Sequence, residues 1–171
     1  MRVLTCLFTI LMMMTGLCTQ ASAQTLEVSP AGLSTSLSKK GLTATVLSRN
    51  GQDYVRFSIA DWADYYLLFN DCDPAQKCKR LLFFSQDESP NDQSVEEIRK
   101  DVAVWPKSDY VTGELKHWPN RNLQVMSDLT LDNRLTISMS TPTPSAMLDE
   151  KEFWALVDLW IRLDDDFFLG Y

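Results

Sequence analysis

Two cysteines, Cys72 and Cys78, are the residues of this chain whose type and spacing could most directly do chemistry, and five residues separate them in the stretch NDCDPAQKCKR. Such a pair could form a redox-active dithiol, half of a zinc site or a structural disulfide. A thioredoxin-type site has two intervening residues at a helix start, whereas here there are five, including a proline. Structural zinc takes four ligands, and the only histidine is distant in sequence. We therefore predict a disulfide that closes a hairpin loop and stabilises it by roughly 2.4 kcal/mol in the loop-entropy model.

A run of three acids, Asp164, Asp165 and Asp166, could bind a hard cation, because carboxylates are suitable ligands for calcium or magnesium. A loop site needs spaced ligands and usually a glycine turn, and the run has neither. Three acids are also unfavourable at the negative end of a helix dipole. We therefore predict that the preceding helix ends near Leu163 and that the three carboxylates are solvated, with cation binding as the less favoured alternative.

His117 is the only histidine of the chain. It has no second histidine with which to share a metal, and no Gly-x-Ser-x-Gly motif or reactive cysteine for which it could act as a base. Its neighbours Lys116, Trp118 and Pro119 indicate a loop. We expect no catalytic residue, no metal site and no cofactor, and we predict that the protein is not an enzyme.

The first 23 residues have the three parts of a secretory signal peptide: a positive start, an apolar run and the small-x-small pattern Ala21-Ser22-Ala23. The apolar run is shorter than the about 20 residues that a membrane span requires. Cleavage would remove Cys6 and Cys18 and leave an even pair of cysteines, which is usual in exported proteins. We predict a periplasmic protein with a single domain at 24–171 and no membrane insertion after cleavage.

The balance of charge is acidic. The net charge is −7, and loss of Arg2 with the signal peptide would bring it to −8. Nucleic acid and anionic lipid both require a basic face, so we expect neither as a partner and attribute the acidity to solubility.

Apolar patterning and turn signals predict the elements. Ser29-Pro30 opens a short helix, Asn50-Gly51 joins two alternating strands, and two consecutively apolar strands flank the cysteine loop. Ser94 and Glu97 form a capping box, a second alternating hairpin follows, and Asp149 caps a final helix with an apolar stripe. The helix that starts at Ser94 ends before Pro106, residues 106–121 give no clear assignment, and the pattern indicates no role for residues 99–121. These elements predict an α+β fold with an antiparallel sheet and helices packed on one face, in the order α-β-β-β-β-α-β-β-α.

An aromatic group precedes the cysteine loop. Trp62 lies in a predicted turn next to Tyr65 and Tyr66. Exposed aromatic residues there could form a partner-binding patch. Simple packing over the hairpin is an equally favoured alternative.

These features together resemble the YbjN family, whose members are labelled bacterial sensory transduction regulators. The Cys-x5-Cys pair between two apolar strands carries most of the resemblance, because exported members often have such a pair there. The resemblance implies a fold like that of type III secretion chaperones, and it implies no catalytic residues. The matching pieces are KKGLTATVLSRNG, YYLLFNDCDPAQKCKRLLFF, RNLQVMSDLTLDNRLTISMS and FWALVDLWIRLDDDFF.

The sequence favours a non-enzymatic regulatory or chaperone-like module whose partner is another protein or a peptide, with a homodimer as one arrangement. A periplasmic small-ligand sensor or binding domain is the alternative.

Overall fold

A computed structural model describes residues 24–59, 63–89, 93–143 and 145–170. The predicted signal peptide at 1–23 lies outside the described residues. The elements, in chain order, are β1 Thr25–Glu27, α1 Pro30–Lys39, β2 Thr43–Arg49, β3 Gln52–Ile59, β4 Ala63–Cys72, β5 Cys78–Glu88, α2 Val95–Val104, a 3-10 turn Trp105–Lys107, α3 Asp109–Leu115, β6 Gln124–Leu129, β7 Arg134–Pro142, β8 Met147–Asp149 and α4 Glu150–Leu169.

Six strands form the main sheet in the order β2-β3-β4-β5-β7-β6, and every neighbouring pair is antiparallel. The predicted α+β class with an antiparallel sheet is therefore confirmed. The finer order of elements is not confirmed, because β1 and β8 form a second, two-stranded sheet and α3 adds a helix. Strands of three residues are too short to show an alternating pattern, and α3 has only seven residues with a glycine inside it.

Local signals set the boundaries of several elements as predicted. Asn50 and Gly51 have φ of 55° and 77°, the left-handed conformation that a two-residue hairpin turn requires. Ser94 and Glu97 form a complete capping box at the start of α2. The Asp149 side chain accepts a hydrogen bond from the backbone N–H of Glu152 at 3.1 Å, and this bond caps α4.

One face of the sheet is covered by helices. Residues of α1, α2 and α4 join the buried residues of this face in one hydrophobic cluster. Phe83 of β5 and Trp160 of α4, for example, are both fully buried, with ring centroids 6.0 Å apart. Burial of this kind contributes about 1.5–3 kcal/mol for each large apolar side chain.

The opposite face of the main sheet has no helix over it among the described elements. Strand alternation places there five apolar side chains that are each partly exposed, and we call them the open-face cluster. Its members are Tyr54, Tyr66, Leu68, Leu82 and Phe84.

The last helix is longer than predicted. The expectation that it ends near Leu163 is wrong, because α4 continues to Leu169. Phe167 is fully buried, with its ring centroid 4.8 Å from that of Trp105. The Trp105 indole N–H also donates a hydrogen bond of 2.8 Å to the Asp166 carboxylate. These contacts outweigh the unfavourable placement of acids near the helix end, which costs about 0.3–1 kcal/mol for each charge.

Candidate functional site

Cys72 and Cys78 form the predicted disulfide. They are paired positions at the ends of β4 and β5, and the bridge closes the loop between them. The Asp73 carboxylate accepts hydrogen bonds from the backbone N–H groups of Ala75 and Lys77, each at 2.9 Å. The loop is therefore held by the covalent bridge and by its own hydrogen bonds, which fits a structural role for the pair.

The three residues of the predicted aromatic patch do not share one surface in the described chain. Trp62 lies outside the described residues. Tyr65 and Tyr66 belong to β4, where neighbouring side chains point to opposite faces. Tyr65 is fully buried on the covered face, and Tyr66 is partly exposed on the open face. The expectation that both tyrosines lie together in an exposed patch is therefore wrong, and Tyr66 instead belongs to the open-face cluster.

The open-face cluster forms a continuous aromatic row across three strands. The ring centroid of Tyr66 lies 6.2 Å from that of Tyr54 and 6.1 Å from that of Phe84. Leu68 and Leu82 are paired positions that continue the apolar surface along β4 and β5. A shallow groove of about 450 Å³ follows this surface, and polar side chains border it: Arg49, Asn50, Gln52 and Gln86.

Asp164 is a buried acid. Its side chain is on the covered side of the sheet, only 6% exposed, and its carboxylate accepts a hydrogen bond from the Ser85 hydroxyl of β5. Burial raises the pKa of Asp164 to about 6, and the charges of Asp165 and Asp87 act in the same direction. The Ser85 hydrogen bond opposes the shift, because it stabilises the charged form.

The prediction that all three acids of the run are solvated is thus wrong for Asp164. A signal for its burial was present in the sequence. The stripe of α4 that includes Leu156 and Trp160 continues at spacings of three and four residues through Asp164 to Phe167. An acid on the apolar stripe of a helix faces the core unless the helix ends before it.

The Tyr65 hydroxyl lies beside Asp164 on the covered side of the sheet. It is fully buried, and a side-chain hydrogen bond with the Asp164 carboxylate is one of the causes that raise its pKa. Its pKa is raised, first by burial and then by the negative charges of Asp164 and Asp165. Tyr65, Asp164 and Ser85 are therefore linked by side-chain hydrogen bonds on the covered side of the sheet.

A second groove, of about 570 Å³, lies where the start of β4, the end of β5 and the end of α4 meet. We call it the acidic groove. Five carboxylates and one guanidinium group are among its lining side chains: Asp64, Asp87, Glu88, Asp164, Asp165 and Arg134.

His117 follows α3 and is exposed. Within the described ranges, no three His, Cys, Asp or Glu residues are arranged so that they could hold a metal ion. No helix in this part of the chain is both long enough and apolar enough to cross a membrane.

A scan of the chain against protein-family models finds no match, and a search of curated proteins finds none either. Membership of the YbjN family therefore stays a prediction.

Proposed function

We propose that the protein is an exported, non-enzymatic interaction module of the YbjN type, with a type III secretion chaperone-like fold, that binds a protein or peptide partner through the open face of its sheet. The open-face cluster carries this proposal. Five adjacent apolar side chains remain partly exposed on a face that no described helix covers. Contiguous apolar surface of this kind is typical of interaction sites.

The composition of the cluster supports recognition of a partner. Two of its members are tyrosines, whose rings give large contact areas with little loss of conformational entropy and whose hydroxyls can hydrogen-bond at a wet edge. The polar side chains around the groove would form the rim of such an interface. The signal peptide predicted at 1–23 and the disulfide support a periplasmic location, because bridges of this kind persist in oxidising compartments.

Site-specific photo-crosslinking tests the proposal. A photoreactive amino acid in place of Tyr66 should yield a discrete crosslinked species in cells, whereas the same group in place of Arg99, exposed on α2, should not. Phe84→Ser in the Tyr66-substituted chain should abolish that species without loss of folding. Leu131→Ser is the matched control, because Leu131 is fully exposed in the β6–β7 turn away from the open face. Equal crosslinking from both positions, or none from Tyr66, would contradict the proposal.

A periplasmic small-ligand binding domain is the second candidate function, and the acidic groove favours it. The groove is of a size suitable for a small molecule and has a buried carboxyl group at its base. A thermal-shift screen tests it, because a ligand at 100 times its Kd stabilises the folded state by about 2.7 kcal/mol. No response to any metabolite class would rule it out.

A further inference from the structure

The open face of the sheet has a positive border in a protein that is negative overall. The chain has a net charge of −7, yet Arg49 is the one charged side chain among the described residues that line the groove of the open-face cluster. Arg80 lies on the same face, two positions before Leu82 on β5. The surface beside the cluster is therefore suited to anionic groups.

Strand pairing places both arginines in one row across four strands, which we call the polar row. The polar row runs from β2 to β5 and contains no acid: Arg49, Gln52, Asn70 and Arg80. Each member lies two positions along its own strand from a member of a parallel apolar row: Leu47, Tyr54, Leu68 and Leu82. The sheet thus holds guanidinium and amide donors along one side of an apolar surface.

Both arginines can bind a further anionic group. Arg49 is exposed and forms no ion pair with the described residues. Arg80 donates a hydrogen bond of 3.0 Å to the Ser140 hydroxyl, and its guanidinium lies 3.8 Å from the Asp71 carboxylate. The Asp71 side chain is 68% exposed, and exposed ion pairs of this kind contribute little, so a partner's carboxylate can take the place of Asp71.

The distance between the two arginines sets the spacing of the anionic groups. Strands β2 and β5 are three strand spacings apart, which is about 14 Å. An extended peptide advances about 3.4 Å per residue, so residues four positions apart are also about 14 Å apart, with their side chains on one side. The residue midway between them has its side chain on the same side. It would lie over β3 and β4, where Tyr54 and Leu68 are partly exposed.

We propose that the partner segment of the open face is an extended acidic peptide, in which two carboxylates four residues apart bind Arg49 and Arg80 and an apolar side chain midway between them packs on the open-face cluster. This inference rests on the proposed function of the open face and names the chemistry of its partner. Guanidinium groups bind carboxylates through paired hydrogen bonds. The negative charge elsewhere on the protein has little effect at this surface, because charges beyond about 8 Å are screened at physiological salt.

Fluorescence anisotropy tests the spacing with two labelled, blocked peptides of the same composition and charge. The first contains Asp-Ser-Phe-Ser-Asp, and the second contains Ser-Asp-Phe-Asp-Ser, in which the acids point away from the side of the phenylalanine in an extended chain. We expect saturable binding of the first peptide and at least tenfold weaker binding of the second. Equal affinity for the two peptides, or no saturable binding of the first, would overturn the proposed spacing.

Substitution of the arginines tests their role. Arg49→Gln and Arg80→Gln should each weaken binding of the first peptide about tenfold, the size expected for loss of one charge-assisted contact. The fold should persist in Arg49→Gln, because Arg49 is exposed and has no ion pair with the described residues to lose.

The matched control is Arg99→Gln, which removes the same charge from an exposed position on α2. We expect it to change binding of the first peptide by less than about twofold, because of screening. Equal weakening by Arg99→Gln and Arg49→Gln would show general attraction between charges and would overturn the site.

Crosslinking from the Tyr66 position separates failure of this inference from failure of the proposed function. A discrete crosslinked species that is neither competed by the first peptide nor reduced by Arg49→Gln would refute the acidic segment and leave the open face as a binding surface. A crosslink between two copies of this chain, with a dimer in sedimentation, would replace the peptide by a second copy. Absence of any crosslinked species would refute the proposed function and this inference with it.

Discussion

Burial of the Asp164 carboxyl group disfavours its charged form. Its carboxylate is buried near the end of α4, accepts a hydrogen bond from the Ser85 hydroxyl and forms no ion pair with the described residues. The folded state therefore holds the proton of this acid at a pH where an unfolded chain has released it. Residues of this kind reduce stability at neutral pH, and they are concentrated at functional sites.

We predict that Asp164→Asn stabilises the protein at pH 7.5 and has little effect at pH 4. The folded pKa is about 6, above the unfolded value of about 3.9, so the penalty develops as the pH rises through this interval and persists above it. Its full size is roughly 2–3 kcal/mol, and the amide can still accept the Ser85 hydrogen bond. Urea unfolding at the two pH values measures the difference.

Asp158→Asn is the control for this measurement, because Asp158 is an exposed acid of the same helix. It removes the same charge without relieving burial, so the pH dependence of stability should remain that of the wild type. An Asp164→Asn protein that is no more stable than the wild type at pH 7.5 would contradict the assigned burial.

Tyr65 shows why a residue-level prediction failed. The predicted strand DYYLLFN already contains both Tyr65 and Tyr66, and β4 begins at Ala63, one residue before it. Once both tyrosines are in a strand, their side chains must point to opposite faces. The prediction of a shared patch grouped neighbouring residues of one strand on one surface, which the alternation of side chains does not allow.

At the scale of elements, the β4–β5 hairpin depends on its disulfide. We predict that the double substitution Cys72→Ala with Cys78→Ala lowers the free energy of unfolding by roughly 2 kcal/mol, because the unfolded chain regains the freedom of the short loop. Urea unfolding with and without dithiothreitol measures this effect.

The reductant supplies the control, since it should destabilise the wild type by a similar amount and leave the double variant unchanged. A wild-type protein insensitive to reductant, with its thiols shown to be free, would indicate that the bridge contributes no stability.

The last turns of α4 depend on Trp105. We predict that Trp105→Phe lowers the free energy of unfolding by about 1–2 kcal/mol, because it removes the indole N–H bond to Asp166. Hydrogen exchange should accelerate at residues 166–169 and remain unchanged at 153–160, where α4 packs on the sheet. Uniform acceleration along α4 would contradict this local role.

The elements also show what the sequence could and could not predict. Turn and cap residues act within a few positions of themselves, so Asn50-Gly51 and the caps at Ser94 and Asp149 gave correct boundaries. The position at which α4 ends depends on contacts with Trp105, which is far away in sequence. The helix dipole, a local effect, favoured an end near Leu163, but these contacts are stronger. The acidic groove assembles from four separate segments, and no short stretch of sequence indicates it.

At the scale of the whole molecule, the groove of the open-face cluster and the acidic groove are neighbours on β4 and β5. Tyr66 borders both grooves, whereas Phe84 lines only the open-face groove and Tyr65 only the acidic one. Phe84 and Tyr65, which lie on opposite faces of two neighbouring strands, therefore belong to different candidate surfaces.

The pairing of β1 with β8 sets the order in which the molecule can be assembled. Strands β2 to β5 are successive neighbours and can pair as soon as each hairpin is complete. Thr25, near the start of the described chain, instead pairs with Asp149, and the backbone N–H of Val28 donates to Ala146. Contacts between such distant positions form late, because a long loop must first close. Strand β1 is therefore among the last of the described elements to become ordered, although it precedes them in the chain, and it remains accessible to other factors until β8 has been synthesised.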